Sequence, residues 1–416
     1  MNIYVEVYGC TANKSDAALI KGLIKDSKHE LINDINNADF VIILTCTVID
    51  TTEQRMISLL KKYKKMGKNI IVAGCMASIQ SDKLKNIFPD ARFLPVQYSH
   101  QILDLLERED PIFKEVNKTS FRKCYDDIVA PISISEGCMF SCTYCITSLA
   151  RGKLRSFPIH EIKKDVSYAV LKGCREIQLT AQDTSSYGLD KNSDLGVLLK
   201  SVCEIGGVFK IRVGMMNPFT CMKNLDSIIN SFNNSKIYKF LHMPIQSGDD
   251  DILKKMNRKY KIHDVLKVIE RFRQCFPDLT ISTDVIVGFP SETDVQFEHT
   301  IDMLKKIKPD ITNITRFSAR PFTKAKNMKE RVKTEIVKKR SKKLTEICSM
   351  ISYDKNKKHI GKKYKIIVTE KGKNDTFVGR AGNYKPVVIR KHVKIGDFLK
   401  VEIINSASTY LVGSLI

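Results

Sequence analysis

Over the first hundred residues, short and nearly continuous apolar runs alternate with stretches whose apolar residues recur every three or four positions. "NIYVEVY", "DFVIILT" and "NIIVAG" predict parallel strands buried on both faces. "SDAALIKGLIKD" and "EQRMISLLKKYKKMG" predict the helices between them. Residues 1–107 therefore read as a small doubly wound α/β unit. The next stretch, 108–127, is charged, carries a proline and lacks a clear period, so it reads as a linker.

The alternation resumes over 128–355. "ISIS" (132–135), "EIQLT" (176–180), "KIRVG" (210–214), "KFLHMPI" (239–245), "ISTDVIVG" (281–288) and "ITNITRF" (311–317) are candidate strands, most of them separated by helical patterns such as "EIKKDVSYAVLKG". Six strand–helix units without a seventh and eighth predict an open, partial (β/α)6 barrel. A basic helix is expected near 324–355. Over 356–416 the pattern changes to five short β-like runs separated by Gly, Asn, Asp and Lys, which predicts a small closed β-barrel of the OB type. The fold class is thus α/β with a small β-barrel at its C-terminal end.

Charge sharpens this picture. The 416 residues carry a net charge of +23, and 357–416 hold 13 Lys or Arg against four Asp or Glu. A polyanion, most simply RNA or DNA, is the partner such clustering suggests. Lys365, Arg380, Lys385, Arg390 and Lys391 are candidate phosphate contacts, and a generally lysine-rich surface is the competing explanation. No phosphate-binding GxxxxGK[ST] loop is present. The start of the chain does not resemble a secretory signal, and no apolar run approaches a membrane span. A cytoplasmic location is expected, where twelve cysteines are unlike a disulfide framework.

Six of those cysteines form two sets. Cys10, Cys46 and Cys75 each follow a predicted strand, so parallel strands would bring them to one edge, where ligands bind in such sheets. Cys138, Cys142 and Cys145, in "SEGCMFSCTYC", follow the first barrel strand, at the end where barrel active sites are built. Three thiolates leave one iron of a 4Fe–4S cube open to an external ligand. Zinc would need a fourth ligand, for which His160 is the nearest imidazole. The other six cysteines share no spacing and read as ordinary free thiols.

The Cys-x3-Cys-x2-Cys cage, with Tyr144 just before Cys145, resembles the radical S-adenosylmethionine (SAM) superfamily. The strings "YGCTANKSD", "CITSLARG", "LTAQDTSSYG", "HMPIQSGDDDILKKMNRKY", "STDVIVGFPSET" and "RFSARPFT" extend the resemblance, over essentially the whole chain, to the methylthiotransferases. The tail resembles their RNA-binding TRAM domain. "YGCTANKSD" and "CITSLARG" are most similar to the archaeal and eukaryotic branch, which acts on N6-threonylcarbamoyladenosine next to the tRNA anticodon. Eukaryotic members often carry a C-terminal membrane anchor; none is expected here, which leans toward an archaeal-type soluble enzyme.

The resemblance implies two 4Fe–4S clusters, SAM as cofactor, tRNA as substrate and an electron donor such as ferredoxin or flavodoxin. A monomer is expected. Cys138, Cys142 and Cys145 would hold the catalytic cluster, and Cys10, Cys46 and Cys75 an auxiliary one carrying sulfur. Tyr144, Arg151, Gln182, Gln246, Ser247 and Gly288 are candidate SAM-binding residues; Arg151 could instead meet a phosphate or lie on the surface, and Gly288 could be a plain turn glycine. Asp183, Asn217, Asp284, Glu292, Arg316 and Arg320 also fall near the predicted barrel mouth, as ligands, caps or ion-pair partners. Alternative readings keep the chemistry with isopentenyladenosine tRNA or a ribosomal-protein aspartate as substrate, or reduce the chain to a non-catalytic RNA-binding protein holding iron–sulfur or zinc.

Overall fold

The computed structural model describes residues 1–107, 113–114 and 118–416. The three strands predicted in the N-terminal unit form at Asn2–Val7, Phe40–Thr45 and Asn69–Gly74. Short strands Glu30–Leu31 and Arg92–Leu94, too brief to leave a pattern in the sequence, add the two edges of a five-stranded parallel sheet. The central strand Phe40–Thr45 is buried at every position. Its alternate residues serve two cores: Ile42 and Leu44 meet Ile20 and Ile24, while Val41 and Ile43 meet Met56 and Leu60. That two-sided burial explains the unbroken apolar run. Strand order reverses between Asn2–Val7 and Phe40–Thr45, the crevice where open α/β sheets bind ligands. Cys10 and Cys46 follow those two strands.

Six parallel strands make the central unit, in two sheets of three. Val129–Ser133, Glu176–Thr180 and Lys210–Val213 form one, and Phe240–His242, Thr280–Val287 and Ile311–Arg316 the other. A bridge between Ile211 and Ile237 joins them. Ile132, Leu179, Ile211 and Val213 pack outward under the helices. Pro131, Gln178 and Arg212 alternate with them and face inward. The first strand lies three residues earlier than the sequence suggests, with Pro131 inside it. Proline is tolerated there because the strand is an edge of its sheet. Residues Ser135–Glu136 pair instead with Arg155–Ser156, closing the base of the loop that carries Cys138, Cys142 and Cys145.

Of the charged stretch 108–127, residues 108–112 and 115–117 lie outside the described residues. Lys118 and Lys123 are buried and paired with Glu136 and Asp165 of the central unit. The basic helix runs over Thr334–Lys357, later than expected, because Lys324–Asn327 forms its own short turn. Leu344 and Cys348 of this helix join the barrel's outer core. All five runs of the tail become strands of one closed barrel. No described helix is long and apolar enough to cross a membrane.

Candidate functional site: two thiol trios at a shared wall

The loop carrying Cys138, Cys142 and Cys145 is fixed from several sides. The Cys138 amide donates to the Gly152 carbonyl at 3.0 Å, and the Thr143 amide to the Met256 carbonyl at 3.1 Å. Asn257 donates to the Ser141 carbonyl at 3.0 Å. Gly137 has φ +71°, and a side chain there would bring Cβ within 1.9 Å of the Lys153 carbonyl oxygen, so only glycine fits. Burial pushes the Cys138 thiol up to about 12, and raises that of Cys142. The Arg258 guanidinium, 3.6 Å from the Cys142 sulfur, acts in the opposite direction. Arg258 is itself held by the Pro244 carbonyl and Tyr260 hydroxyl, each at 2.9 Å. The segment "MNRKY" therefore supports the cage, a role that spacing between cysteines does not reveal.

In the N-terminal unit, Cys10 stands immediately before helix Thr11–Lys25, Cys46 follows its strand, and Cys75 opens helix Cys75–Ile79. Asn13 organises them. Its side-chain NH2 donates to the carbonyls of Tyr8 and Thr45 at 2.8 and 3.0 Å, tying two strand ends together. Its carbonyl oxygen lies 3.9 Å from the Cys75 sulfur and accepts from Arg151 at 2.8 Å. Burial pushes the Cys75 thiol up to about 11, opposed by the nearby Arg151 charge. A Cβ on Gly9 would stand 2.9 Å from that of Cys46. Each trio contains a Gly-Cys pair with the glycine at positive φ, a signal present in "YGC", "AGC" and "EGC".

The two trios share a wall. Helix Thr147–Arg151, directly after Cys145, packs on the helix opened by Cys75: Ala150 contacts Cys75 and Val96, and Gln97 donates to the Ala150 carbonyl at 2.6 Å. Arg151 crosses from one unit to the other and pairs with buried Asp16 at 2.7 Å. It is thus neither a surface arginine nor free for a phosphate. It supplies buried positive charge to the Cys10/Cys46/Cys75 side, and its Nε–H has no partner among the described residues. Arg320 makes a second crossing, to buried Glu53 and Thr47.

Among the described residues, no three His, Cys, Asp or Glu side chains converge on a single ion. His160 has a 70% exposed side chain, lies beside Glu161 and completes no set. Three thiols around a multi-iron cluster stand farther apart than three around one zinc, and buried cations beside both trios offset thiolate charge. The residues present fit two iron–sulfur clusters.

The other candidates divide. Gln182 follows strand Glu176–Thr180 and presents a buried side-chain oxygen with no partner among the described residues, as a ligand contact requires. Tyr144 packs edge-on against Phe289, 6.5 Å between centroids. Gln246 takes φ +78° and bridges Val285 through its backbone. Ser247 is occupied differently: its hydroxyl accepts from the Asp249 amide at 3.2 Å. Gly288 leaves room for Val337 of the basic helix, which a Cβ would meet at 2.4 Å, and that packing accounts for the glycine. Asp183 holds Thr220, Ser185 and the Asn217 amide. Glu292 pairs with Arg340, and Asp284 meets His242 at 2.7 Å and Asn313 at 3.0 Å. Arg316 is exposed.

On the tail barrel, Lys365, Arg390 and Lys391 are exposed, and Arg380 pairs with Glu370 at 3.0 Å. Lys385 does not belong with them. It is buried, 2.7 Å from both Asp310 and Asn356, and anchors the tail barrel to the central unit.

Family models match three consecutive parts of the chain: Uncharacterized protein family UPF0004 over residues 2–94, Radical SAM superfamily over 132–304 and TRAM domain over 357–416. A protein of Archaeoglobus fulgidus called "Probable threonylcarbamoyladenosine tRNA methylthiotransferase" is 40% identical, covering 100% of this chain and 99% of its own. One of Pyrococcus horikoshii with the same name is 36% identical, with 100% of both covered. A "tRNA-2-methylthio-N(6)-dimethylallyladenosine synthase" of Fusobacterium nucleatum is 32% identical, with 98% of both covered. In fold, the radical S-adenosylmethionine methyltransferase TsrM of Kitasatospora setae, solved with cobalamin and a [4Fe-4S] cluster, aligns with a TM-score of 0.57 at 11% identity. The alignment covers 78% of this chain and 76% of that one.

Proposed function

This chain belongs to the threonylcarbamoyladenosine tRNA methylthiotransferase family of radical SAM enzymes, and we propose that it methylthiolates C2 of N6-threonylcarbamoyladenosine beside the tRNA anticodon. The observation that carries the proposal is the pair of three-thiol sites on either side of one packed wall, linked through Arg151. Two clusters with SAM supply radical and sulfur-transfer chemistry for a C–H bond that side-chain acids and bases do not activate.

The protein's own residues bind, orient and shield. Cys138, Cys142 and Cys145 ligate on the barrel side, with Arg258 balancing charge at Cys142. Cys10, Cys46 and Cys75 ligate on the other, with Asn13 and Arg151 fixing the trio. Gln182, whose side-chain oxygen has no partner among the described residues, would hold a polar group of the cofactor, with Tyr144 and the Gln246 backbone beside it. Lys365, Arg390 and Lys391 track RNA phosphates. The reaction belongs to the cytoplasm, with a ferredoxin- or flavodoxin-type electron donor and a monomeric enzyme.

The relative named for dimethylallyladenosine favours a second reading, isopentenyladenosine tRNA as substrate. Offering both tRNAs to the reduced enzyme with SAM and analysing digested nucleosides by mass spectrometry decides between them. A methylthio increment on the threonylcarbamoyl nucleoside supports the proposal; an increment on isopentenyladenosine alone refutes it.

A further inference from the structure

The barrel lumen holds an arginine without an acidic partner. Arg212 lies on the inner face of strand Lys210–Val213, in register with Gln178. Its guanidinium sits over the rings of Phe240 and Tyr384, 5.3 and 5.5 Å from their centroids. Tyr384 arrives from the tail barrel with φ +67° and donates to Glu176 at 3.0 Å, so the stacking platform is itself fixed. Among the described residues Arg212 has these ring contacts but no hydrogen bond or ion pair. Nearby cations differ: Lys21 pairs with Asp126, and Arg380 with Glu370.

Gln178 and Tyr384, the neighbours of Arg212, line a cavity of about 400 Å³ that reaches helix Thr11–Lys25; Lys14, Asp127 and Glu176 line it too, and Arg212 itself is not on its wall. A space of that size suits a nucleoside-scale group. Both rings lie on one side of the guanidinium, their centroids 4.9 Å apart, and a stacked guanidinium whose N–H groups have no partner among the described residues is prepared for a planar, bidentate anion.

We propose that Arg212 receives the carboxylate of the threonyl substituent and so selects the substrate, an inference that rests on the function proposed above. On adenine, C2 and C6 flank N1, and the threonylcarbamoyl chain is carried by the amino nitrogen on C6, across N1 from C2. In the proposed pose C2 is turned toward the Cys138 end of the strands and the chain lies in the lumen beside strand Lys210–Val213, where Arg212 is the third of four residues. An isopentenyl chain there would leave the guanidinium without an anion, the arrangement by which a polar site rejects an analogue lacking its partner.

The test uses the full-length, cluster-loaded enzyme and an anticodon stem-loop carrying threonylcarbamoyladenosine, either as the free acid or as its neutral methyl ester. Wild type is expected to favour the acid by at least about tenfold in kcat/KM. Arg212→Gln should lose that preference, chiefly through KM for the acid, while still cleaving SAM to 5′-deoxyadenosine; Arg212→Lys should restore part of it. If Arg212→Gln keeps the acid–ester preference, or loses activity on both forms equally, Arg212 is a structural stacking residue and the inference falls. If wild type accepts isopentenyladenosine and not the threonylcarbamoyl acid, the functional reading falls, and this inference with it.

Discussion

Arg151 and Asp16 form a buried ion pair at 2.7 Å that joins the segment just after the barrel cage to the helix just after Cys10. Removing one partner of such a pair strands the other charge and costs about 3–5 kcal/mol. Arg151→Ala should therefore lower the unfolding free energy by that order, read from anaerobic denaturant titration. It should also loosen the Cys10/Cys46/Cys75 site, because Asn13 loses the guanidinium that holds its carbonyl oxygen. A variant as stable as wild type would show that the pair is not a structural bridge.

Gly137→Ala should abolish the barrel cluster and spare the auxiliary one. Its Cβ would enter the Lys153 carbonyl, and the backbone sits at positive φ. Total iron should fall by about half if two equal clusters are present, with the remaining electron paramagnetic resonance signal coming from the auxiliary site. Unchanged iron content would contradict the described loop geometry.

Lys385 and Lys391 carry the same charge and should behave differently. Lys385→Ala removes one of the two lysines paired with buried Asp310, leaving Lys355, and frees the Asn356 side-chain oxygen, so stability should drop while the salt dependence of tRNA binding stays the same. Lys391→Ala should leave stability unchanged, weaken tRNA binding modestly and reduce the slope of log K against log salt by about one. Reversed results would place the RNA face elsewhere on the tail barrel.

The junction of the long basic helix with the tail barrel should be acid-sensitive. Burial depresses His359 from 6.5 to about 4, with Lys385 and Lys362 adding to the effect. Between those values the unfolded chain binds a proton that the folded chain refuses. Stability is fully present above about 6.5 and falls as pH drops toward 4. His359→Gln should flatten that part of the stability curve, measured by thermal unfolding across pH 4–7.

Local pattern carried most of the architecture. Unbroken apolar runs revealed the doubly buried N-terminal strands, and five short runs revealed the tail barrel. The strand-end positions of Cys10, Cys46 and Cys75 already implied convergence, since parallel strands share their ends. What stayed hidden depends on docking between distant segments. Arg151 finds Asp16 across 135 residues, and Lys385 finds Asp310 across 75; neither pairing leaves a periodic trace. Ser247 and Gly288 sit near the expected mouth but have structural employment, because position at a strand end does not distinguish a ligand from a cap. Arg212 escaped notice for the opposite reason: a lone arginine inside a strand looks like any half-exposed charge until the lumen closes around it.

The most direct measurement separates the two thiol trios in one assay. Reduced enzyme, SAM and tRNA bearing N6-threonylcarbamoyladenosine are incubated anaerobically, then 5′-deoxyadenosine and digested nucleosides are quantified for wild type, Cys138→Ala and Cys10→Ala. Wild type should yield both 5′-deoxyadenosine and the methylthio nucleoside, Cys138→Ala neither, and Cys10→Ala 5′-deoxyadenosine without the methylthio product. Methylthio product from Cys10→Ala would contradict the division of labour between the trios, and SAM cleavage by Cys138→Ala would contradict the assignment of the radical site.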